Sequence, residues 1–307
     1  MSQQRIDKLR KILVEKSLDG FLVSNFYNIL YLTVFKTLTN DEREAFVIVT
    51  KENVYLLTDA RYVKSSAFAK ASADKQKLKL ITPEKGFIKY LQEIVAEEKI
   101  QRLGFEGDDF KVNELQKIKE KLVNIELVSA EKLIIKIREI KDEEEINKIR
   151  TACQIADQCL GEIVRTIKVK TTEKEIAFKI EFWLKEKNYD LSFCPIVAID
   201  KNSAVPHYDT RNCSDEKVKK NSIILIDFGV KYQDYLSDIT RVVFIGKPSS
   251  EVLSVYNQLL LVQTKTLQYL ASSNLRGCTG KQIDQFCRQQ LTYPHYTGHG
   301  VGLQILV

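Results

Sequence analysis

Apolar residues along the first 130 positions alternate between helical and strand spacing. Ile6, Leu9 and Leu13 lie three and four residues apart, which predicts the buried face of an N-terminal helix. A strand is predicted at 20–24, and two more at 45–50 and 53–58 are joined by the short Lys51-Glu52 connection of a hairpin. Further helices are predicted after Asp59, at 86–96 and from residue 112, with strands near 78–81, 102–105 and 125–128. This alternation predicts an α/β layer domain over residues 1–130.

A second domain, residues 131–307, is predicted to begin within the charged stretch 129–142. Asp142 is a candidate N-cap, and apolar residues then follow in steps of three and four. The pattern predicts a long helix with one stripe facing a core, made of Ile146, Ile149, Cys153, Ala156, Leu160, Ile163 and Ile167.

The second domain contains an internal repeat. Thr172-Glu173-Lys174-Glu175-Ile176 is echoed by Thr279-Gly280-Lys281-Gln282-Ile283, and each is a capping box in which Thr precedes Glu or Gln by three residues. Each box follows a longer amphipathic helix and precedes a Pro-His-Tyr tripeptide, at 206–208 and 294–296, although the offsets to the tripeptides differ. Two such units facing each other predict a pseudo-twofold domain with a cleft between its halves.

Composition narrows the class of protein. Of the 307 residues, 44% are hydrophobic and 29% are charged, as in soluble globular proteins. The net charge of +6 is spread along the chain without aromatic residues between basic runs, so no nucleic-acid partner is predicted. The N-terminus has no signal-peptide pattern, and no apolar run reaches the ~20 residues that span a bilayer, so no membrane partner is predicted.

The cysteines indicate a reducing compartment. All six lie after residue 150, and none belongs to a CxxC pair. Buried, reduced thiols are therefore favoured over a zinc cluster or a disulfide framework. Together with the lack of a signal peptide, this predicts a cytoplasmic protein.

Residues 222–246 carry the first candidate chemistry. Two apolar strands, at 223–226 and 239–245, are joined by a polar turn; Asp227 closes the first strand and Asp238 opens the second. A carboxylate beside a buried strand needs a cation, hydrogen bonds or a metal to offset its desolvation. A solvated turn and a strand cap explain the two aspartates equally well.

The three histidines favour the metal interpretation. His207, His295 and His299 all lie in the second domain beside turn residues. His299 stands between two glycines in Thr297-Gly298-His299-Gly300-Val301-Gly302, which leaves its imidazole accessible. Two carboxylates and an imidazole suit a divalent ion such as Mn²⁺, Co²⁺, Fe²⁺ or Zn²⁺.

These residues together resemble the Xaa-Pro aminopeptidase and prolidase group of the pita-bread metallopeptidases. The similarity extends over essentially the whole chain and is most specific at the motif around His299 and at two others, Asp227-Phe228-Gly229 and Ser237-Asp238-Ile239-Thr240-Arg241. The resemblance implies a fold of class α/β (α+β), with an N-terminal creatinase-like domain and a C-terminal pita-bread domain. It also implies a homodimer.

The resemblance implies a role for each candidate residue. Asp227 would bind one metal ion, Asp238 would bridge two ions, and His299 would bind the second, with Mn²⁺ as the expected metal. His207 and His295 would be catalytic residues that contact the substrate or shape its pocket. The implied reaction is hydrolysis of the bond between an N-terminal residue and proline, in a peptide with proline at its second position, by a hydroxide that bridges the metals.

The sequence departs from the family pattern after His299. The family has two further glutamate ligands and a histidine where Leu306 stands, whereas this sequence ends at Val307. We therefore expect a C-terminally truncated pita-bread domain without its last strands, weaker metal binding and impaired hydrolysis.

Two alternatives stay open beside a peptidase. One is a non-catalytic peptide-binding or scaffold protein on the pita-bread fold. The other is a related hydrolase, although the N-terminal domain argues against a methionine aminopeptidase. The intact Asp227, Asp238 and His299 argue against a creatinase-like enzyme, which needs no metal.

Overall fold

The computed structural model describes residues 3–40, 42–62, 77–81, 85–213, 216–272, 278–293 and 295–305, with the backbone alone described at 77–81. The chain forms two compact units, Met1–Ile140 and Lys141–Val307. The division falls within the charged stretch 129–142, beyond the predicted boundary at residue 130. It lies there because a helix over Leu133–Glu139 packs against the N-terminal helix of the first unit.

The first unit is built on one mixed sheet of six strands. The strands are β1 (Gly20–Val23), β2 (Ala45–Thr50), β3 (Val54–Asp59), β4 (Lys77–Ile81), β5 (Arg102–Phe105) and β6 (Glu126–Ser129). The central hairpin joins β2 to β3 in antiparallel register, as the Lys51-Glu52 connection predicts. β1 is antiparallel to β2 and parallel to β5, while β3/β4 and β5/β6 are parallel pairs. The spatial order is β4-β3-β2-β1-β5-β6.

Every residue of β1 and β2 is buried, because helices cover both faces of this sheet. Ile6, Leu9 and Leu13 form the buried face of α1, as predicted. α3 packs its apolar face on the sheet core, together with α4. The helices are α1 (Gln3–Glu15), α2 (Phe26–Thr33), α3 (Gly86–Glu97), α4 (Val112–Lys121) and α5 (Leu133–Glu139).

One local feature of the first unit differs from the sequence prediction, and another is described only in part. Helix α2 was not predicted, because it is buried on nearly all sides and lacks an amphipathic pattern; Asn25 caps it by accepting from the N–H groups of Tyr27 and Asn28. After Asp59 the structure shows a single 3₁₀ turn, Ala60–Tyr62. The remainder of the helix predicted there lies outside the described residues.

The second unit begins with two helices that pack on a small antiparallel sheet. Helices α6 (Glu143–Thr166) and α7 (Glu173–Glu186) precede strands β7 (Asp190–Leu191) and β8 (Ile196–Ile199). β8 pairs with β9 (Ile223–Phe228), which pairs with β12 (Ile239–Phe244). Between these last two strands, β10 (Val230–Tyr232) and β11 (Tyr235–Leu236) form a second small sheet with β7.

Helix α6 confirms the predicted N-cap and part of the predicted stripe. Asp142 accepts from the N–H of Glu145, whose side chain accepts in turn from the N–H of Asp142. Of the predicted stripe, Ala156 and Ile163 are in the core, and Leu160 and Ile167 pack against it. Ile155 and Cys159 join the core as well, whereas the predicted Cys153 is only half-buried. Ile155 was outside the predicted stripe because the sequence pattern does not say which edge of a helix meets the sheet.

The repeat is present in the structure as two capped helices. Thr172 caps α7 and Thr279 caps α9 (Gly280–Arg288), each in a capping box. α9 follows the long helix α8 (Ser250–Ala271), and the Tyr269 and Phe286 rings stack at 4.3 Å between the two helices. Seven apolar side chains of α8 are 43–59% exposed: Leu253, Val255, Leu259, Leu260, Leu261, Leu267 and Leu270.

The thiols differ in part from the prediction that they are buried. All six cysteines are free, and Cys159 and Cys287 are buried. Cys194 and Cys213 are exposed, because both lie in loops that flank β8 rather than on a core-facing element. None of the helices in the described part of the chain is long and apolar enough to cross a membrane.

Candidate active site

Asp227 lies on the face of β9 that turns away from the helices. Ile224, Ile226 and Phe228 alternate along this strand and join the core under α6 and α7. Because neighbouring strand residues point to opposite faces, Asp227 faces the other way. Its Oδ1 atom is buried, and no described residue forms a hydrogen bond with it.

A close backbone approach places Asp238 beside Asp227. A Cβ atom on Gly229 would lie 1.8 Å from the carbonyl oxygen of Ser237, so this contact requires glycine. The Ser237 hydroxyl accepts from the N–H of Val230 at 2.9 Å, and the Ser237 carbonyl accepts from Ser192 Oγ at 2.9 Å. These bonds fix the residue that directly precedes Asp238.

Burial raises the pKa of both carboxyl groups of this pair. Burial, followed by the negative charge of Asp238, raises the pKa of Asp227 to about 6, while the Thr240 side chain opposite it on β12 lowers that pKa in part. Burial also raises the pKa of Asp238, and His299 partly offsets this. Two neighbouring, partly buried carboxyl groups suit a divalent cation, because a cation beside them favours their ionised forms.

His299 meets this pair from the loop after α9. Its Nε2 lies 3.3 Å from Asp238 Oδ2. Its Nδ1 lies 3.0 Å from the carbonyl oxygen of Gly300, an acceptor to which Nδ1 can donate. In the tautomer that makes this bond, Nε2 has the lone pair of the ring and faces Asp238.

His207 and His295 lie side by side near the aspartates. Their ring centroids are 5.7 Å apart, with the planes inclined by 58°. His207 is close enough to Asp227 for its charge to lower the pKa of that carboxyl group. Three segments distant in sequence therefore converge at one place in the second unit, and they bring together the five residues singled out from the sequence.

Two charged residues of α9 that the sequence analysis missed hold the histidine segment. Arg288 donates from Nη1 to the Tyr293 carbonyl and from Nη2 to the His295 carbonyl, both at 3.0 Å. Asp284 pairs with Arg288 Nε at 2.7 Å and accepts from Thr297 Oγ1 at 2.6 Å. The available signal was an acid and an arginine four residues apart on the helix directly before the histidines.

Comparison with known proteins identifies both units. Residues 147–306 match the metallopeptidase family M24, and residues 5–140 match the creatinase/prolidase N-terminal domain. The chain belongs to metallopeptidase family M24. The M24 match includes the segments that carry all five candidate residues. It confirms the family expected from the sequence motifs.

Relatives and solved structures agree with this assignment to M24. The chain is 27% identical to the uncharacterized peptidase YqhT of Bacillus subtilis, over 98% of this chain and 83% of that protein. It is also 27% identical to the Xaa-Pro dipeptidase of Pyrococcus horikoshii, over 98% of this chain and 82% of that one. Among solved structures, the Xaa-Pro dipeptidase from Bacillus anthracis superposes with a TM-score of 0.86 at 29% identity, covering 99% of this chain and 83% of that one. The fold of this M24 chain is therefore the pita-bread fold with a creatinase-like N-terminal domain.

The candidate site contains atom types that bind divalent cations, but its side chains are not arranged as a complete set of metal ligands. A buried oxygen without a partner, a second carboxylate and an imidazole nitrogen are ligands for such ions. Across the described ranges, no group of three or more His, Cys, Asp or Glu side chains is arranged to hold a metal. Leu306, which stands where the family has a histidine, lies outside those ranges.

The first unit of this M24 protein also has a polar cavity, of about 250 Å³. Its central cation, Arg43, donates to Asp109 Oδ2, to the Ser24 carbonyl at 3.0 Å and to Glu114 Oε1 at 3.2 Å. The charge of Arg43 is therefore compensated by Asp109 and Glu114.

Proposed function

We propose that this chain is a metal-dependent exopeptidase that hydrolyses the bond between an N-terminal residue and proline. The observation that supports the proposal best is the buried Oδ1 of Asp227, which forms no hydrogen bond with any described residue and lies beside a second carboxylate and an imidazole. A buried acceptor without a partner is costly, and a cation is the simplest group that would satisfy it.

In this proposal Asp227, Asp238 and His299 are the protein ligands of two divalent ions. Asp238 would help to hold both ions, because its charge acts on Asp227 and its Oδ2 lies 3.3 Å from His299 Nε2. Such ions, when bound, activate water and polarise the scissile carbonyl group. With three protein donors among the described residues, we expect weak metal binding and slow turnover.

The chain's own histidines are proposed to act on the substrate. His207 and His295 are adjacent and exposed, so their ring nitrogens can reach a peptide above the aspartates. Imidazole groups there can donate to the oxyanion that develops on the scissile carbonyl and protonate the leaving nitrogen of proline. Both roles require a protonated ring nitrogen that points to the peptide.

The experiment is release of proline from an Xaa-Pro dipeptide with added Mn²⁺, compared with an Xaa-Ala dipeptide. Proline release that requires Mn²⁺ and is lost in Asp227→Asn supports the proposal. A chain that binds both Mn²⁺ and the Xaa-Pro peptide but releases no proline supports the second candidate, a peptide-binding protein on the same fold. The open arrangement of the metal donors in the described residues favours this alternative. Equal hydrolysis by the wild-type and Asp227→Asn proteins would overturn both.

Mn²⁺ as the metal, a homodimeric state and a cytoplasmic location are further parts of the proposal. They are supported by the resemblance to the Xaa-Pro peptidases. Comparing Mn²⁺, Co²⁺, Zn²⁺ and Fe²⁺ in the proline-release assay tests the metal. Sedimentation velocity of the purified chain tests the dimer, and fractionation of the source cells tests the location.

A further inference from the structure

Glu173 is a buried carboxylate close to the site that the proposed reaction does not use. It is the first residue of α7, directly after the capping Thr172, and its side chain is completely buried. Oε1 accepts from the N–H of Ile199 at 2.7 Å and from Asn202 Nδ2 at 2.9 Å. Oε2 accepts from the Tyr208 hydroxyl at 2.8 Å and from the N–H of Glu216 at 3.2 Å. Four donors thus converge on one carboxylate.

All four donors belong to the stretch of chain that carries His207. Ile199 ends β8, Asn202 lies in the 3₁₀ turn Asp200–Ala204, and Tyr208 is the direct neighbour of His207. Asn202 Nδ2 also donates to the Tyr208 hydroxyl at 2.9 Å, which closes a triangle of hydrogen bonds beneath the loop. His207 is exposed while Tyr208 is buried, so the loop is held from the side opposite the imidazole.

The second half of the repeat has no carboxylate directly after its capping threonine. Gly280 follows the capping Thr279 where Glu173 follows Thr172, so no side chain is available there. The segment with His295 is held instead from the helix end, by Arg288. A buried carboxylate is therefore not part of the capping box itself, which needs only Thr and the residue three positions later.

We propose that Glu173 is a positioning residue that holds His207 in its working orientation through Tyr208 and Asn202. The catalytic role of His207 in this proposal rests on the proposed function. The hydrogen-bond network around Glu173 does not depend on that function. A carboxylate is suited to this place because all four partners are donors, and charge-assisted bonds to fixed donors are the strong ones. An amide in its place would turn an N–H₂ group toward at least one donor.

The test uses the Glu173→Gln variant with Glu175→Gln as the matched control. Glu175 lies on the same turn of α7, is exposed, and serves the capping box, in which glutamine is also accepted. The chain has three histidines, so the imidazole Cε1–H NMR signals of the metal-free protein number three and are assigned with single His→Gln variants. Glu173→Gln is expected to shift or broaden the His207 signal and leave that of His299 in place, whereas Glu175→Gln leaves all three unchanged.

An unchanged His207 signal in a folded Glu173→Gln protein would overturn the proposal. If that variant does not fold, Tyr208→Phe removes one donor to Glu173 without removing the carboxylate, and the same His207 signal is then read. A purely structural role would lower stability in either variant but leave the signal of the folded protein unmoved.

A kinetic measurement separates this inference from the proposed function. Where the wild-type protein releases proline, Glu173→Gln is expected to lower kcat about 10- to 100-fold, the range for residues that orient a site group, with KM and the Mn²⁺ affinity unchanged. A fall in kcat matched by Glu175→Gln would contradict the positioning role. If the wild-type protein releases no proline, the proposed function fails, while the NMR result still decides the role of Glu173.

Discussion

At the scale of single residues, Asp227 belongs both to a core strand and to the proposed metal site. It stands in a strand whose other face is filled by isoleucine and phenylalanine, and its Oδ1 has no hydrogen-bond partner in the described part of the chain. Folding without a cation therefore costs free energy at this position, and binding of a cation would recover it.

We predict that Asp227→Asn weakens Mn²⁺ binding while stabilising the metal-free protein at neutral pH. The pKa of Asp227, raised to about 6 by burial and by Asp238, means that folding favours its protonated form and that the ionised form destabilises the fold above that pH. Asparagine carries no charge and removes this cost. Mn²⁺ titration and urea unfolding at pH 7.5 measure the two effects.

Asp157→Asn is the control for this prediction, because Asp157 is an exposed aspartate on α6. It is expected to change neither Mn²⁺ affinity nor unfolding. Unaltered Mn²⁺ affinity in Asp227→Asn would remove Asp227 from the metal site.

At the scale of elements, charged side chains connect helix ends to loops through hydrogen bonds to the backbone. In the first unit, Glu106 follows β5 and accepts from the N–H groups of Ser24 and Asn25, both at 2.7 Å, at the start of α2. Asn28 Nδ2 of α2 donates to the same carboxyl group at 2.6 Å. One buried acid thereby joins a strand end to a helix N-terminus.

We predict that the first unit loses stability as pH rises from about 4.5 to 7. Burial raises the pKa of Glu106 from 4.5 to about 7, so its contribution is fully present below pH 4.5 and is lost as pH rises through 7. The loss is at most about 3 kcal/mol. Urea unfolding at pH 5 and pH 8 measures it, and Glu106→Gln is expected to reduce the difference between these pH values. A wild-type protein equally stable at both would refute the prediction.

We predict that Arg288→Ala weakens Mn²⁺ binding about 10-fold, as for other residues that orient ligands. Arg288 holds the carbonyl groups of Tyr293 and His295, and Asp284 holds Thr297, two residues before His299. Without Arg288 the loop that carries His299 samples more conformations and binds a metal with a greater loss of entropy. Arg150→Ala is the control and should bind Mn²⁺ like the wild type, because this arginine donates to Asn147 on its own helix, α6.

At the scale of the whole molecule, the chain consists of two units with separate cores. The core of the first lies between its six-stranded sheet and the helices on it, and that of the second lies between α6, α7 and the strands β8 and β9. The match to two families, divided at nearly the same place, agrees with this division.

We predict that residues 1–140 fold alone and that residues 1–130 are less stable by about 5 kcal/mol. The shorter fragment lacks α5, whose Leu133, Ile134 and Ile137 are buried, and each such side chain contributes roughly 1.5–3 kcal/mol. It also lacks Arg138, which donates to Asn28 Oδ1 at 2.7 Å. Circular dichroism and urea unfolding of the two fragments measure the difference, and equal stability would place the boundary at residue 130 after all.

The sequence by itself determined the elements and the candidate residues. Spacing of apolar residues set α1, the β2–β3 hairpin and the capped helices α6, α7 and α9, because these depend on local periodicity and capping. The aspartates and histidines could be chosen because acids at strand ends and a histidine between glycines are local patterns. α2 could not be predicted, because a helix that is buried on nearly all sides has no polar face to reveal its period.

Only the tertiary structure decided what these residues do to one another. The burial of Glu173 and Glu106 and the meeting of His299 with Asp238 join residues far apart in sequence. The approach of Gly229 to Ser237 likewise depends on how the chain between them turns in space. A glutamate in the first turn of a helix has the same local pattern whether it is solvated or completely buried. Its surroundings come from other segments of the chain, and sequence periodicity carries no record of them.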